Sequence, residues 1–117
     1  MRGSDDTGRS GGDGGAGSGL AAELGAELGE RATLVQFSSA FCAPCRATRR
    51  VLGEVAAMVP GVTHVEIDAE ARLDLVRRLG VERTPTVLVL DADGRVVRRA
   101  AGQPRKADVI AALGAAL

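Results

Sequence analysis

The sequence is poor in aromatic residues, in cysteine and in uncompensated charge. Aromatic side chains make up 2% of its 117 residues, so a core has to be built from Val, Leu, Ile and Ala. The 15 basic residues are balanced by 15 acidic ones, which argues against nucleic acid as a partner because binding phosphates requires a basic surface. No apolar run approaches the roughly 18 residues that cross a bilayer, and the first thirty residues lack the pattern of a secretory signal. We therefore expect a soluble, cytoplasmic protein with no membrane segment.

The chain has only two cysteines, Cys42 and Cys45, in C-x-x-C spacing. Disulfide frameworks use several bridges that close long loops, and a bridge across four residues closes too short a loop to contribute much stability. Structural zinc takes four ligands, whereas this chain offers the two cysteines and the distant His64. The spacing therefore indicates redox chemistry, and we expect neither a metal nor a bound cofactor.

Composition divides the chain at residue 20. Residues 1–19 are rich in Gly, Ser and Asp and have almost no apolar side chains. Such a segment cannot bury enough surface to offset the entropy of ordering it, so we predict a disordered tail. Residues 20–117 have the size and hydrophobic content of one domain.

Hydrophobic patterns over residues 20–117 predict the order α-β-α-β-α-β-β-α. The elements are a helix over 20–28 before Gly29, a strand over 33–38, a helix from Cys42 to Pro60, a strand over 62–67, a helix capped by Asp68 and closed by Gly80, a hairpin of 86–90 with 95–100, and a last helix that buries Ala107, Ile110, Leu113 and Leu117. Strands separated by helices are expected to pair in parallel, and the hairpin adds an antiparallel edge strand. The predicted fold class is α/β, with a mixed β-sheet covered by helices on both faces.

Cys42 is predicted to lie between a strand and the first turn of a helix. Unpaired N–H groups and the helix dipole stabilise an anion there, which favours thiolate over thiol. Only the thiolate attacks a disulfide. Pro44 suits the first turn because its missing N–H costs nothing there, and Cys45 follows one turn later, near enough to displace a mixed disulfide. The sequence thus predicts a nucleophile and a resolving thiol within four residues.

Residues 34–46, LVQFSSAFCAPCR, resemble the active-site segment of the thioredoxin family. Further matches follow in family order and spacing over residues 20–117: Ile67-Asp68, Gly80-Val81, Thr84-Pro85-Thr86, Asp93-Gly94 and Gly102. The resemblance implies the thioredoxin fold and reduction of protein disulfides. It also implies a cis peptide bond before Pro85, with Thr84 and Pro85 lying beside the cysteines and binding the substrate backbone.

The resemblance also implies partners and a cellular role. Electrons would come from a flavin-dependent, thioredoxin-reductase-like donor, and the protein would serve electron transport and cell redox homeostasis. We expect it to act as a monomer.

The chain departs from the thioredoxin pattern around the cysteines. Phe41 and Ala43 stand where the family has Trp and Gly, which leaves the redox potential open. Gln36 replaces a buried aspartate, and His64 replaces a lysine that often accompanies it. Because an amide cannot accept a proton, Cys45 must lose its proton to water or to another group, and His64 is one candidate. We expect Gln36 to hydrogen-bond locally and His64 to lie at the core edge or in solvent rather than act as a base.

Two other functions are compatible with the sequence. One is a binding module that uses the same groove with vestigial redox activity, although an intact C-x-x-C argues against it. The other is a disulfide oxidase or maturation factor in an oxidising compartment, in which case the Gly-rich tail would be the remnant of a linker to a membrane anchor.

Overall fold

A computed structural model describes residue 20 and residues 22–117. The predicted disordered tail over residues 1–19 lies outside the described residues. The first predicted helix is only partly confirmed, because its described helical residues, 20 and 22–24, stop at Gly25. Gly25 has a φ of 68°, a left-handed conformation that glycine adopts without steric cost. The helix therefore ends earlier than the predicted stop at Gly29.

Four strands and three further helices follow. They are β1 (Ala32–Ser38), α1 (Ala43–Met58), β2 (Val62–Asp68), α2 (Leu73–Leu79), β3 (Thr86–Asp91), β4 (Val96–Ala101) and α3 (Lys106–Ala116). The strands form one mixed sheet in the order β2-β1-β3-β4. The predicted α/β class with a mixed sheet is confirmed, and β4 is an edge strand as expected.

The direction of β3 differs from the prediction. β2 runs parallel to β1, but β3 runs antiparallel to it, with Thr86 opposite Phe37. The hydrophobic pattern gives the order of the strands but not the direction of each one. β3 begins at the end of the sheet where β1 ends, which is also where α1 begins.

The central strand β1 is buried along its whole length because both of its faces are covered. Side chains alternate between the two faces, so Val35 and Phe37 pack on one side and Leu34 packs on the other. The first side is completed by Leu24, Val65, Ile67, Leu75, Val81, Leu88 and Leu90. The second is completed by Ala32, Leu52, Val55, Val87, Val89, Val109, Leu113 and Ala116.

The buried face of α3 is not the predicted one. Leu113 is buried as expected, but its buried companions are Val109 and Ala116. Ile110 and Leu117 are 43% and 51% exposed. The helix is apolar on almost every side, so its periodicity does not distinguish one face from another.

Asp68 does not cap α2, which begins five residues after it. Its carboxylate instead accepts a hydrogen bond from the backbone N–H of Glu70 at 2.9 Å and closes a turn. The predicted closure of α2 at Gly80 is confirmed, because Gly80 has a φ of 67° and its N–H donates to a carbonyl of the last turn.

Candidate active site

Cys42 and Cys45 lie at the N-terminus of α1 and are joined by a disulfide, with Cα atoms 5.2 Å apart. Cys42 is the N-cap residue, and its Sγ accepts a hydrogen bond from the backbone N–H of Cys45 at 3.2 Å. Pro44 lies in the first turn of the helix. The predicted placement between a strand and a helix N-terminus is therefore confirmed.

The two cysteines differ in exposure. Cys42 is half-buried, whereas Cys45 is only 1% exposed. In the reduced protein, the N–H of Cys45 and the positive end of α1 would favour the thiolate of Cys42. The arrangement gives one accessible thiolate and one covered thiol that can reach it.

Small or apolar side chains surround Cys42 at the surface. Phe41 is fully exposed and has a φ of 60°, a left-handed conformation that costs about 1 kcal/mol or more for a residue with a side chain. Ala43 and Pro44 are also exposed. An aromatic ring is thus held in solvent directly beside the reactive cysteine.

Thr84 and Pro85 lie next to this loop because β3 begins at the end of the sheet where β1 ends. The peptide bond between them is cis, as the resemblance implied. The hydroxyls of Thr84 and Ser39 are hydrogen-bonded at 2.8 Å. The carbonyl of Pro85 accepts a hydrogen bond from Gly102 N–H at 2.8 Å. The structure therefore brings the predicted Thr84-Pro85 segment to the loop that precedes Cys42.

Gln36 lies beneath the active site and is completely buried. Its Nε2 donates to the carbonyl of Cys45 at 2.8 Å and to the hydroxyl of Ser38 at 2.9 Å. Its Oε1 lies 3.2 Å from Nε2 of His64. The expectation that Gln36 hydrogen-bonds locally holds only for Ser38, because its other two partners come from other elements of the fold.

These contacts determine the protonation of Nε2 of His64. The Cys45 carbonyl can only accept, so the amide nitrogen of Gln36 must face it and Oε1 must face the imidazole. Oε1 can only accept as well, so Nε2 of His64 carries a proton and donates it. This nitrogen is therefore not available as a base, and His64 lies half-buried at the core edge, as expected.

An ion pair that the sequence did not reveal lies beside the site. The guanidinium of Arg49 donates from Nε and Nη2 to the two carboxylate oxygens of Glu66, both at 2.7 Å. This hydrogen bonding lowers the pKa of Glu66, with a smaller contribution from the Ser38 hydroxyl. Glu66 lies directly across from Gln36 in the β1–β2 register. Only that register could have revealed the pair, because in the sequence Arg49 is typical of a solvated helix face.

Burial lowers the pKa of His64 below its ordinary value of about 6.5, and the nearby Glu66 carboxylate only partly offsets this effect. The unfolded chain therefore binds more protons than the folded one just below that value. We expect the free energy of unfolding to fall as the pH drops from about 6.5 toward the lowered pKa of the folded state. Chemical denaturation of the protein and of His64→Gln between pH 5.5 and 7.5 checks this. The fall with decreasing pH should be smaller in the variant. A wild-type protein that becomes more stable relative to His64→Gln as the pH drops contradicts the assignment.

Two structural findings concern metals and membranes. Within residue 20 and residues 22–117, no group of three or more His, Cys, Asp or Glu side chains is placed to hold a metal ion. Over the same range, no helix is both long enough and apolar enough to cross a bilayer.

An accessible sulfur at a helix N-terminus with a covered partner one turn away is what dithiol exchange requires. Together with the α/β sheet beneath it, this pair defines a thiol–disulfide oxidoreductase.

Comparison with known proteins supports this assignment to the thiol–disulfide oxidoreductases. The family model described as Thioredoxin matches residues 22–115. A thioredoxin from Chlamydia muridarum is 35% identical over 77 residues, which cover 66% of this chain and 74% of that protein. An H-type thioredoxin from Picea mariana is 30% identical over 90 residues, which cover 74% of this chain and 70% of that protein. The X-ray structure of Fasciola hepatica thioredoxin superposes with a TM-score of 0.68 at 21% identity, covering 86% of this chain and 90% of that one.

The chain belongs to the thioredoxin family. With its cysteine pair present, it is a protein-disulfide reductase of that family.

Proposed function

We propose that Cys42 is the attacking thiolate and Cys45 the resolving thiol. The thiolate of Cys42 attacks a substrate disulfide, forms a mixed disulfide and releases one substrate thiolate. The thiolate of Cys45 then attacks Sγ of Cys42, which forms the Cys42–Cys45 disulfide and releases the second substrate thiolate. Two electrons pass from the dithiol to the substrate. The difference in exposure between the two cysteines carries this assignment, since a protein disulfide approaches the more exposed Cys42 more easily than the buried Cys45.

We propose that Thr84 and Pro85 contact the substrate backbone while Phe41, Ala43 and Pro44 form the adjoining surface. The supporting observation is proximity, since the hydroxyl of Thr84 is hydrogen-bonded to Ser39 in the loop that leads to Cys42. A protein disulfide is flanked by peptide, so an extended segment laid across this loop would meet both groups. The exposed Phe41 ring offers it apolar contact.

We further propose that the net reaction is reduction in the cytoplasm by a monomer without a bound cofactor. The electrons for each cycle would come from a thioredoxin-reductase-like flavoprotein, which reduces the Cys42–Cys45 disulfide. The support is the family itself and relatives named thioredoxin.

Equilibration of the protein in a series of glutathione buffers tests the direction of electron flow. We expect a reduction potential in the range of thioredoxins, about −270 mV. A value near the roughly −120 mV of strongly oxidising enzymes would identify an oxidase instead. A pair that never equilibrates with glutathione would identify a binding module.

We propose that residues 20–117 form the functional domain and that residues 1–19 are dispensable. The basis is composition, because residues 1–19 contain almost no apolar side chain that could be buried. Deleting residues 1–19 should leave the melting temperature and the disulfide reductase activity unchanged within error. A large drop in melting temperature would show that the segment packs on the domain.

A further inference from the structure

A single buried amide connects the resolving cysteine to the sheet. Gln36 is 0% exposed, and its side chain donates to the main-chain carbonyl of Cys45 at 2.8 Å. The carbonyl belongs to the first turn of α1, so the bond acts on the backbone that carries the resolving sulfur. The side chain therefore has a direct means of setting where Cys45 lies.

The amide is itself held on its other sides. Its second N–H donates to Ser38 on the same strand, and its oxygen accepts from His64 on β2. With both donors and the oxygen engaged, the amide has one orientation only. It forms a rigid support between the centre of the sheet and the start of α1.

Neither the Gln36 amide nor Nε2 of His64 can take a proton from Cys45. The amide has no basic site, and Nε2 of His64 already donates to it. Whatever Gln36 contributes to the reaction must therefore come from geometry. Geometry matters here because resolution is an intramolecular displacement, which requires the attacking sulfur to lie in line with the disulfide that it breaks.

We propose that Gln36 is a positioning residue that holds the Cys45 backbone so that its sulfur is aligned for attack on the Cys42 mixed disulfide. This inference rests on the roles proposed above for the two cysteines. It assigns Gln36 to the resolving step alone, because the hydrogen bonds of the amide go to Cys45, Ser38 and His64 and not to Cys42. His64 supports the amide through Oε1.

Reaction of the reduced, full-length protein with 5,5′-dithiobis(2-nitrobenzoate) separates the two steps. The first thionitrobenzoate is released when Cys42 attacks, at a rate proportional to reagent concentration. The second is released when Cys45 resolves the mixed disulfide, at a rate independent of it. We expect Gln36→Met, which keeps the volume and removes the amide, to slow the second phase about tenfold or more. The first phase should stay within about twofold of the wild type, and the slowing should be the same at every pH.

Thr33→Val is the matched control. Thr33 is equally buried on β1 and accepts a hydrogen bond from Gly29 N–H at 2.8 Å, at the opposite end of the strand from the site. Thr33→Val loses one buried hydrogen bond and Gln36→Met loses three, but both phases of Thr33→Val should keep the wild-type rates. Equal slowing of the second phase in both variants would show a general loss of rigidity and would overturn the proposal.

Gln36→Glu provides a second test that does not need Gln36→Met to fold. Once ionised, the new carboxylate presents only acceptors to the Cys45 carbonyl, so the ratio of variant to wild-type resolution rates should fall as pH rises. A ratio that stays at or above one as the carboxylate ionises would show that resolution does not need the donor contact to the Cys45 carbonyl, which contradicts positioning. A wild-type protein without any second phase would instead contradict the assigned role of Cys45.

Discussion

Cys42→Ser should abolish disulfide reductase activity, whereas Cys45→Ser should accumulate mixed disulfides with the substrate. Cys42 is the more exposed of the two cysteines, and the chain has no third cysteine to replace it. We expect a loss of at least about 10³-fold in dithiothreitol-driven reduction of an accessible protein disulfide. In Cys45→Ser the first displacement can still occur, but nothing in the chain can release the substrate.

Mass spectrometry of each variant after mixing with an oxidised protein substrate tests this prediction. The Cys45→Ser variant should carry substrate on Cys42, and dithiothreitol should release it. Ala43→Gly is a useful control, because it alters the same tetrapeptide without removing a thiol and should form no lasting adduct. Covalent adducts that accumulate on Cys45 of Cys42→Ser, but not on Cys42 of Cys45→Ser, would reverse the two roles.

Resolution of the mixed disulfide should accelerate about tenfold per pH unit near neutrality. Cys45 is buried and has no carboxylate beneath it, since Gln36 occupies that place. As long as the thiol is mostly protonated, the thiolate fraction rises tenfold for each unit of pH, and only the thiolate attacks. Rapid mixing with 5,5′-dithiobis(2-nitrobenzoate) between pH 6 and 8.5 measures this as the slope of the second phase.

His64→Gln is the control that separates solvent from the imidazole as the proton acceptor. In the structure Nε2 of His64 donates to Gln36, so the variant should show the wild-type slope. A wild-type profile that levels off near the pKa of His64, together with a variant that does not, would identify His64 as the base. A rate that does not change with pH would show that proton removal does not limit resolution.

The elements of the fold that the sequence predicts best are those in which burial restricts the choice of residue types. The strand over residues 33–38 and the cysteine pair after it are confirmed almost to the residue, because a doubly covered strand must be apolar and a proline marks the helix start. The face of α3 could not be predicted because the helix is apolar on nearly all sides. The direction of β3 could not be predicted because hydrophobic patterns give the order of the strands and not the direction of each one.

The features of the site also divide into those that the sequence predicts and those that only the structure shows. Local features, such as Cys42 as the N-cap, follow from four consecutive residues. The contacts of Gln36 join three elements, because the amide on β1 meets Cys45 on α1 and His64 on β2. Their meeting depends on the parallel register of β1 with β2. The sequence identified Gln36 and His64 as unusual residues, but only the packed structure shows that one holds the other.

The rate at which each thiol of the reduced protein is alkylated tests most directly which cysteine is the nucleophile. The protein is treated with a limiting amount of iodoacetamide at neutral pH, and peptide mass spectrometry locates the label. We predict that Cys42 is labelled first, because it is accessible and its thiolate is favoured at the start of α1. Preferential labelling of Cys45 would contradict the assignment of nucleophile and resolving thiol.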